Sequence, residues 1–208
     1  RGDDRTAASA YRAASVVFNQ SGPYASSVRL GRDLLDVVGE PRQRLGVLHV
    51  LADAERIAGD SDSAHEHYEQ ALVLSRELGF PNYEGAILGA LAVLQRQRGR
   101  TDEALELFRS ALDIQRTAGN RKSEGTLLTN LGNLYAVLGR LEEAAEAFQE
   151  GLSIHREIGN RRLEGLTLCN LGNLMADLAR TDEALRYNEE ALRSEEHTSE
   201  LQSRSVIS

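Results

Sequence analysis

The sequence predicts an all-α fold, a solenoid of about five antiparallel helix pairs. Three observations predict it. The stretch EGTLLTNLGNLYAVLGRLEEAAEAFQEGLSIHREIGNR, residues 124–161, reads as two amphipathic helices joined by a tight turn. Its landmarks recur about 40 residues apart. Gly119-Asn120-Arg121 returns as Gly159-Asn160-Arg161, Asn130-Leu131-Gly132-Asn133-Leu134 as Asn170-Leu171-Gly172-Asn173-Leu174, and Thr101-Asp102-Glu103-Ala104-Leu105 as Thr181-Asp182-Glu183-Ala184-Leu185. A fixed period of this size marks an array of stacked supersecondary units. The third observation is a low aromatic content with abundant Leu, Ala and Val, which suits a core made at close helix–helix contacts.

Residues 1–40 form a degenerate first repeat. Residues 5–18 can form a helix with Tyr11, Ala14, Val17 and Phe18 on its apolar side. Asn19-Gln20-Ser21-Gly22 is a turn, and Pro23 suits the first turn of the next helix. Leu30, Leu34, Leu35 and Val38 give that helix a stripe to bury. Gly39 is expected to stop it in a left-handed conformation.

Residues 41–192 form the array proper, four repeats of which the last is truncated. The second repeat opens at Pro41 and carries Leu45, Leu48, Leu51 and Ala52. Gly59-Asp60 turns the chain, Ser61 is expected to cap the next helix, and Asp62 favours its positive end. Ala64, Tyr68, Ala71, Leu72 and Leu78 follow, closed by Gly79. The third repeat keeps this grammar. Pro81 opens it, Ile87, Leu88, Leu91 and Leu94 line its first helix, and Gly99 turns it. Thr101 is expected to cap a second helix packing through Ala104, Leu105, Phe108, Ala111 and Leu112, and Gly119 closes it. In the fourth, Leu128, Leu131, Leu134, Tyr135 and Leu138 face a stripe of Ala144, Phe148 and Leu152. The fifth supplies Leu168, Leu171, Leu174, Met175 and Leu178, then Ala184, Leu185, Ala191 and Leu192.

There the pattern fails. Ser194 stands where Ile114 and Ile154 mark a buried position, and Ser199 where Gly119 and Gly159 close earlier repeats. Residues 193–208 read as a non-native or disordered tail. The run RSEEHTSELQS, 193–203, resembles an in-frame translation of a common short-read sequencing adapter. It is set aside from functional reasoning as an expression scar would be. The chain is expected to be a fragment of a longer one.

Composition bounds the function. A net charge of −8 argues against a general nucleic-acid binder, which needs a basic surface to neutralise phosphates. Lys122 is the only lysine beside many arginines, a bias expected of a bacterial genome rich in G and C. Cys169 is the only cysteine, so no disulfide forms within the chain, which fits a cytoplasmic setting. No apolar run is long enough to cross a bilayer. His65 and His67 lie two apart and diverge on a helix, while His49 and His155 stand alone, so no metal or other cofactor is expected. Asp102-Glu103 and Glu142-Glu143 complement helix dipoles rather than forming a catalytic pair. The protein is expected not to be an enzyme.

A small residue recurs where the two helices of a repeat cross, at Ala52, Ala92, Gly132 and Gly172. The second helix answers with Ala64, Ala104, Ala144 and Ala184, then a large residue at Tyr68, Phe108 and Phe148, then Ala71, Ala111, Gly151 and Ala191. This order, with NLGNLYA, EEAAEAF and TDEALELFRSAL, resembles the tetratricopeptide repeat family. The period exceeds the usual ~34 residues, as in the kinesin-light-chain subgroup and the arrays of large bacterial signalling proteins. Asn188 breaks the aromatic column in the fifth repeat.

The resemblance implies a right-handed superhelix whose concave groove is lined by the first helix of each repeat and binds a partner peptide. Asn130, Asn133, Asn170 and Asn173 sit in the middle of first helices, although asparagine is a mediocre helix former. Each amide can donate to and accept from a peptide backbone; alternatively, the four bond between adjacent repeats and fix their stacking. Thr126, Thr129 and Arg96 border the same groove or belong to solvated surface. A second functional reading is a regulatory sensor arm of a multidomain signalling enzyme or transcription regulator, packed on its own effector domain. A third is self-association through the unfinished last repeat.

Overall fold

The structure is a computed structural model that describes residues 24–205, with side chains described through Ser194. Among these residues there are nine helices and no strand: α1 (Tyr24–Val37), α2 (Pro41–Ala58), α3 (Ser61–Glu77), α4 (Pro81–Gln97), α5 (Thr101–Thr117), α6 (Arg121–Val137), α7 (Leu141–Glu157), α8 (Arg161–Asp177) and α9 (Thr181–Ser205). The fold is an all-α helical repeat solenoid. The expected first helix at 5–18, its turn and Pro23 lie outside the described residues.

The boundaries follow from turn chemistry. Gly59, Gly79, Gly99, Gly119, Gly139 and Gly159 all take positive φ between helices. At Gly139 the wiring is typical: its N–H donates to the Ala136 carbonyl and the Arg140 N–H to the Tyr135 carbonyl. This pair closes a helix only when the residue between turns left-handed. Ala179 takes the same turn with φ 57 and no glycine. At the other ends, side-chain oxygens of Asp60, Asn120 and Asn160 accept the N–H groups of Ser63, Ser123 and Leu163. Glu40 caps α2 by accepting from Arg42 and Gln43.

The chain divides into two compact units between Ile114 and Gln115, inside α5. In the first, α1 packs on α2, α2 on α3 and α3 on α4, and α2 also touches α4. Its core is Leu45, Leu48, Leu51, Tyr68, Ile87, Leu91 and Leu94, with Ala52, Ala64, Ala71 and Ala92 at the close approaches. In the second, α6 packs on α7, α7 on α8 and α8 on α9, and α6 touches α8. The first helices of the two repeats thus share a layer and the second helices face them. Leu128, Leu131, Leu134, Phe148, Leu152, Leu168, Leu171 and Met175 fill the space between. A Cβ added at Gly132 would lie 2.6 Å from the Phe148 ring, so the glycine makes room for the aromatic. At Gly172 the occupant is the Asn188 side chain, which fills the gap left by the missing aromatic.

Some expectations need correction. Gly39 does not take the left-handed conformation, unlike the six glycines between the later helices of the described residues. Ser61 is not a cap: the Asp60 carboxylate holds that place and Ser61 is the first helical residue. Thr101 likewise begins α5 from inside, following Arg100, whose carbonyl accepts the Ala104 N–H. Leu30 is 38 % exposed, while Leu34 and Val38 carry the packing of α1. Leu185 and Leu192 are 57 % and 62 % exposed. Leu152, the counterpart of Leu192 one repeat earlier, is 5 % exposed because α8 packs on α7; no described residue packs in that way on α9. Ser194 keeps the buried position of Ile154, its hydroxyl donating to the Arg161 carbonyl at 3.0 Å.

Candidate binding face

On α6 the residues left out of the core include Lys122, Thr126, Asn130, Asn133 and Val137, at spacings of four, four, three and four. That spacing puts them on one face. The α8 counterparts are Arg162, Leu166, Asn170, Asn173 and Asp177. Because α6 and α8 touch within one layer, the two stripes lie side by side. Asn130, Asn133 and Asn170 are half-buried and Asn173 is exposed. None of the four amides makes a side-chain hydrogen bond to the chain among the described residues. Thr126 is half-buried, and its hydroxyl donates to the Lys122 carbonyl of its own helix at 3.0 Å.

Thr129 is placed differently. It is 5 % exposed and belongs to the interior. Its Oγ1 lies 3.1 Å from the Gly125 carbonyl, 3.1 Å from Thr167 Oγ1 and 3.3 Å from His155 Nε2, so it ties α6 to both α7 and α8. Thr167 in turn donates to the Leu163 carbonyl at 2.8 Å. His155 is fully buried, and burial lowers its pKa against smaller opposing effects of the Gly125 backbone and the Glu164 charge. Arg96 belongs to the first unit, half-buried in the last turn of α4, with no side-chain partner among the described residues. There Asp53 holds the repeat position of Asn133 and Asn173. It accepts a 2.6 Å hydrogen bond from the Tyr68 hydroxyl and lies 3.7 Å from Arg56.

Arginine–carboxylate pairs join successive helices of the second unit. Glu124 and Glu164 are buried carboxylates at the start of α6 and α8, 4 % and 5 % exposed. Arg156, at the end of α7, reaches Glu164 at 3.2 Å and Glu190 of α9 at 2.6 Å, and Arg161 meets Glu164 at 2.8 Å. One repeat earlier Arg116 reaches Glu124 at 3.1 Å and Glu150 at 2.5 Å, and Arg121 meets Glu124 at 2.6 Å. Arg121 also pairs with Glu157 and holds that carboxylate below its ordinary range. The clamps escape a reading that looks for apolar periodicity. Their signal was the return of Arg116, Glu124 and Glu150 as Arg156, Glu164 and Glu190.

Chemically, the face offers free amides, two exposed cations, Lys122 and Arg162, and exposed apolar groups at Val137 and Leu166. Among the described residues no group of three or more His, Cys, Asp or Glu is placed to hold a metal ion. No helix among them is long and apolar enough to cross a membrane.

The family model described as tetratricopeptide repeat matches residues 43–117 and 123–195. No curated protein matches the chain. Among solved structures, BtubC (BKLC) from P. vanneervenii superposes with a TM-score of 0.74 at 22 % identity, covering 89 % of this chain and 78 % of that one. The Signal Transduction ATPase with Numerous Domains protein with a tetratricopeptide repeat sensor from Pyrococcus horikoshii gives 0.76 at 19 % identity, over 89 % of this chain and 29 % of its own. Aspartyl phosphate phosphatase F from Bacillus subtilis gives 0.81 at 12 % identity, over 89 % and 49 %. At these identities the likeness is one of fold.

Proposed function

The chain belongs to the tetratricopeptide repeat family, a protein–protein interaction scaffold, and from that premise we propose that it binds an extended peptide segment of a partner protein along its first helices. The observation that carries this reading is the set of four unengaged amides, Asn130, Asn133, Asn170 and Asn173, on the adjoining faces of α6 and α8. A half-buried amide without a protein partner keeps donor and acceptor capacity for a ligand. Alternating donors and acceptors along a peptide backbone match such amides whatever the peptide's side chains, so capture tolerates sequence variation. Thr126 borders the amides, and Thr129 holds α6 in place from beneath. The scaffold already orders these helices, so binding orders mainly the ligand. No cofactor or metal takes part, and no catalytic step is assigned.

The test uses peptides selected from a displayed random library against the wild-type chain. Asn133→Ala combined with Asn173→Ala is expected to weaken the selected peptides by about 1–3 kcal/mol, the sum of two ordinary hydrogen bonds. The helical signal and melting temperature should stay near wild type. Unchanged affinity would remove these asparagines from the site.

A further inference from the structure

We propose that His155 is a proton-sensitive lock that holds α6, α7 and α8 together beneath the two asparagine pairs. The ring has no exposed surface. It packs against Gly125, where an added Cβ would lie 2.8 Å from Cε1 and 3.1 Å from Nδ1, so α6 closes directly over it. Nε2 faces Thr129 Oγ1 at 3.3 Å, and the same hydroxyl faces Thr167 at 3.1 Å. Nδ1 is buried and has no hydrogen-bond partner. The neutral ring satisfies this arrangement through Nε2 alone. The imidazolium needs an acceptor at each nitrogen; Nδ1 has no hydrogen-bond partner, and burial outweighs the help the Gly125 backbone gives the charged ring.

The charged groups around it do not supply a free counter-ion. On α8, Glu164 is the carboxylate whose field reaches the ring, and it is held by Arg156 and Arg161. On α6, the buried Glu124 is held by Arg116 and Arg121. On α7 itself the neighbouring charges are Arg156 and Glu157, each already paired. Protonation therefore favours a state in which the junction opens and the ring meets water.

The direction follows from linkage. Burial lowers the ring's folded-state pKa below the ordinary value of about 6.5. The lock is fully closed above that ordinary value. It weakens as pH falls through it, the opening equilibrium rising up to tenfold per pH unit until the folded-state value is passed. Thr129 joins the lock to α6 and Thr167 joins it to α8, so opening frees the spacing between Asn130 and Asn133 on one helix and Asn170 and Asn173 on the other. Acid release of a bound peptide is the consequence. That consequence rests on the peptide-binding reading, whereas the lock stands without it.

The repeat supplies well-matched controls, since Ser75 and Gln115 occupy the equivalent positions and are also fully buried. Hydrogen exchange of the whole chain, corrected for intrinsic rates, is measured at pH 7.5 and 5.0 without ligand. Amides of α6 and α8 in the wild type are expected to exchange at least threefold faster at pH 5.0. His155→Gln, and His155→Ser if the glutamine variant folds poorly, should abolish that difference while both remain helical. An equal acid response in either folded variant, or none in the wild type, overturns the proposal. Because no peptide enters the measurement, its failure is distinct from failure of the binding reading.

Discussion

Ala179 ends α8 with φ 57, a conformation that six glycines supply elsewhere among the described residues. Its methyl group costs about 1 kcal/mol there, part of which a glycine returns as unfolded-state entropy. Ala179→Gly is therefore expected to stabilise the protein by about 0.5 kcal/mol, read as a higher denaturant midpoint at unchanged slope. A lower midpoint would show that the turn relaxes around alanine. At this scale the sequence was legible where one residue type has one use. The recurring glycines between helices and the small residues at the crossings announced their places. Gly39 resembled them in sequence position, yet it ends a helix without the left-handed turn. Thr129 looked like Thr126, three residues earlier on the same helix, yet one faces the interior and the other does not. A threonine suits either side, and only the packed neighbours, Thr167 and His155, decide between them.

Between helices, buried carboxylates and exposed ones should behave differently. Glu164 is nearly buried, clamped by two arginines that are themselves half-exposed, and it joins α7 to α8. Glu143 pairs with Arg140 within one turn at the surface. Glu164→Ala is expected to cost about 1–3 kcal/mol, because it removes the carboxylate that Arg156 and Arg161 share and leaves a gap at the helix start. Glu143→Ala is expected to cost no more than about 0.5 kcal/mol, as surface pairs do. Chemical denaturation of the two variants side by side checks this, and equal losses would mean that the clamps add nothing to stacking. Helix existence and pairing were readable from apolar spacing, since each stripe has one partner stripe to bury against. Helix starts were not. Ser61 and Thr101 are good capping residues in the abstract, but the carboxylate of Asp60 competes for the first of these positions and wins.

At the scale of the whole molecule, the fifth repeat leaves Leu185 and Leu192 uncovered, whereas Leu105, Leu112 and Leu152 at equivalent places are buried. Leu185→Lys with Leu192→Lys should therefore change stability by less than about 0.5 kcal/mol, as substitutions at open surface do. If this face also drives self-association, light scattering at high concentration should fall toward the monomer value in the same variant. Scattering that is unchanged would place any association elsewhere. The array was legible as an array because its period is written in glycines, asparagines and alanines. The partner was not, because a face of amides recognises a backbone, and every protein has one. The account rests on α6 and α8 presenting their asparagines to such a backbone. The most direct measurement is a titration of the labelled chain with a library-selected peptide, following the asparagine side-chain NH2 resonances by NMR. The signals of Asn130, Asn133, Asn170 and Asn173 are expected to shift together and saturate with the binding curve. Saturable binding that leaves all four unmoved while residues on α7 or α9 respond would contradict it.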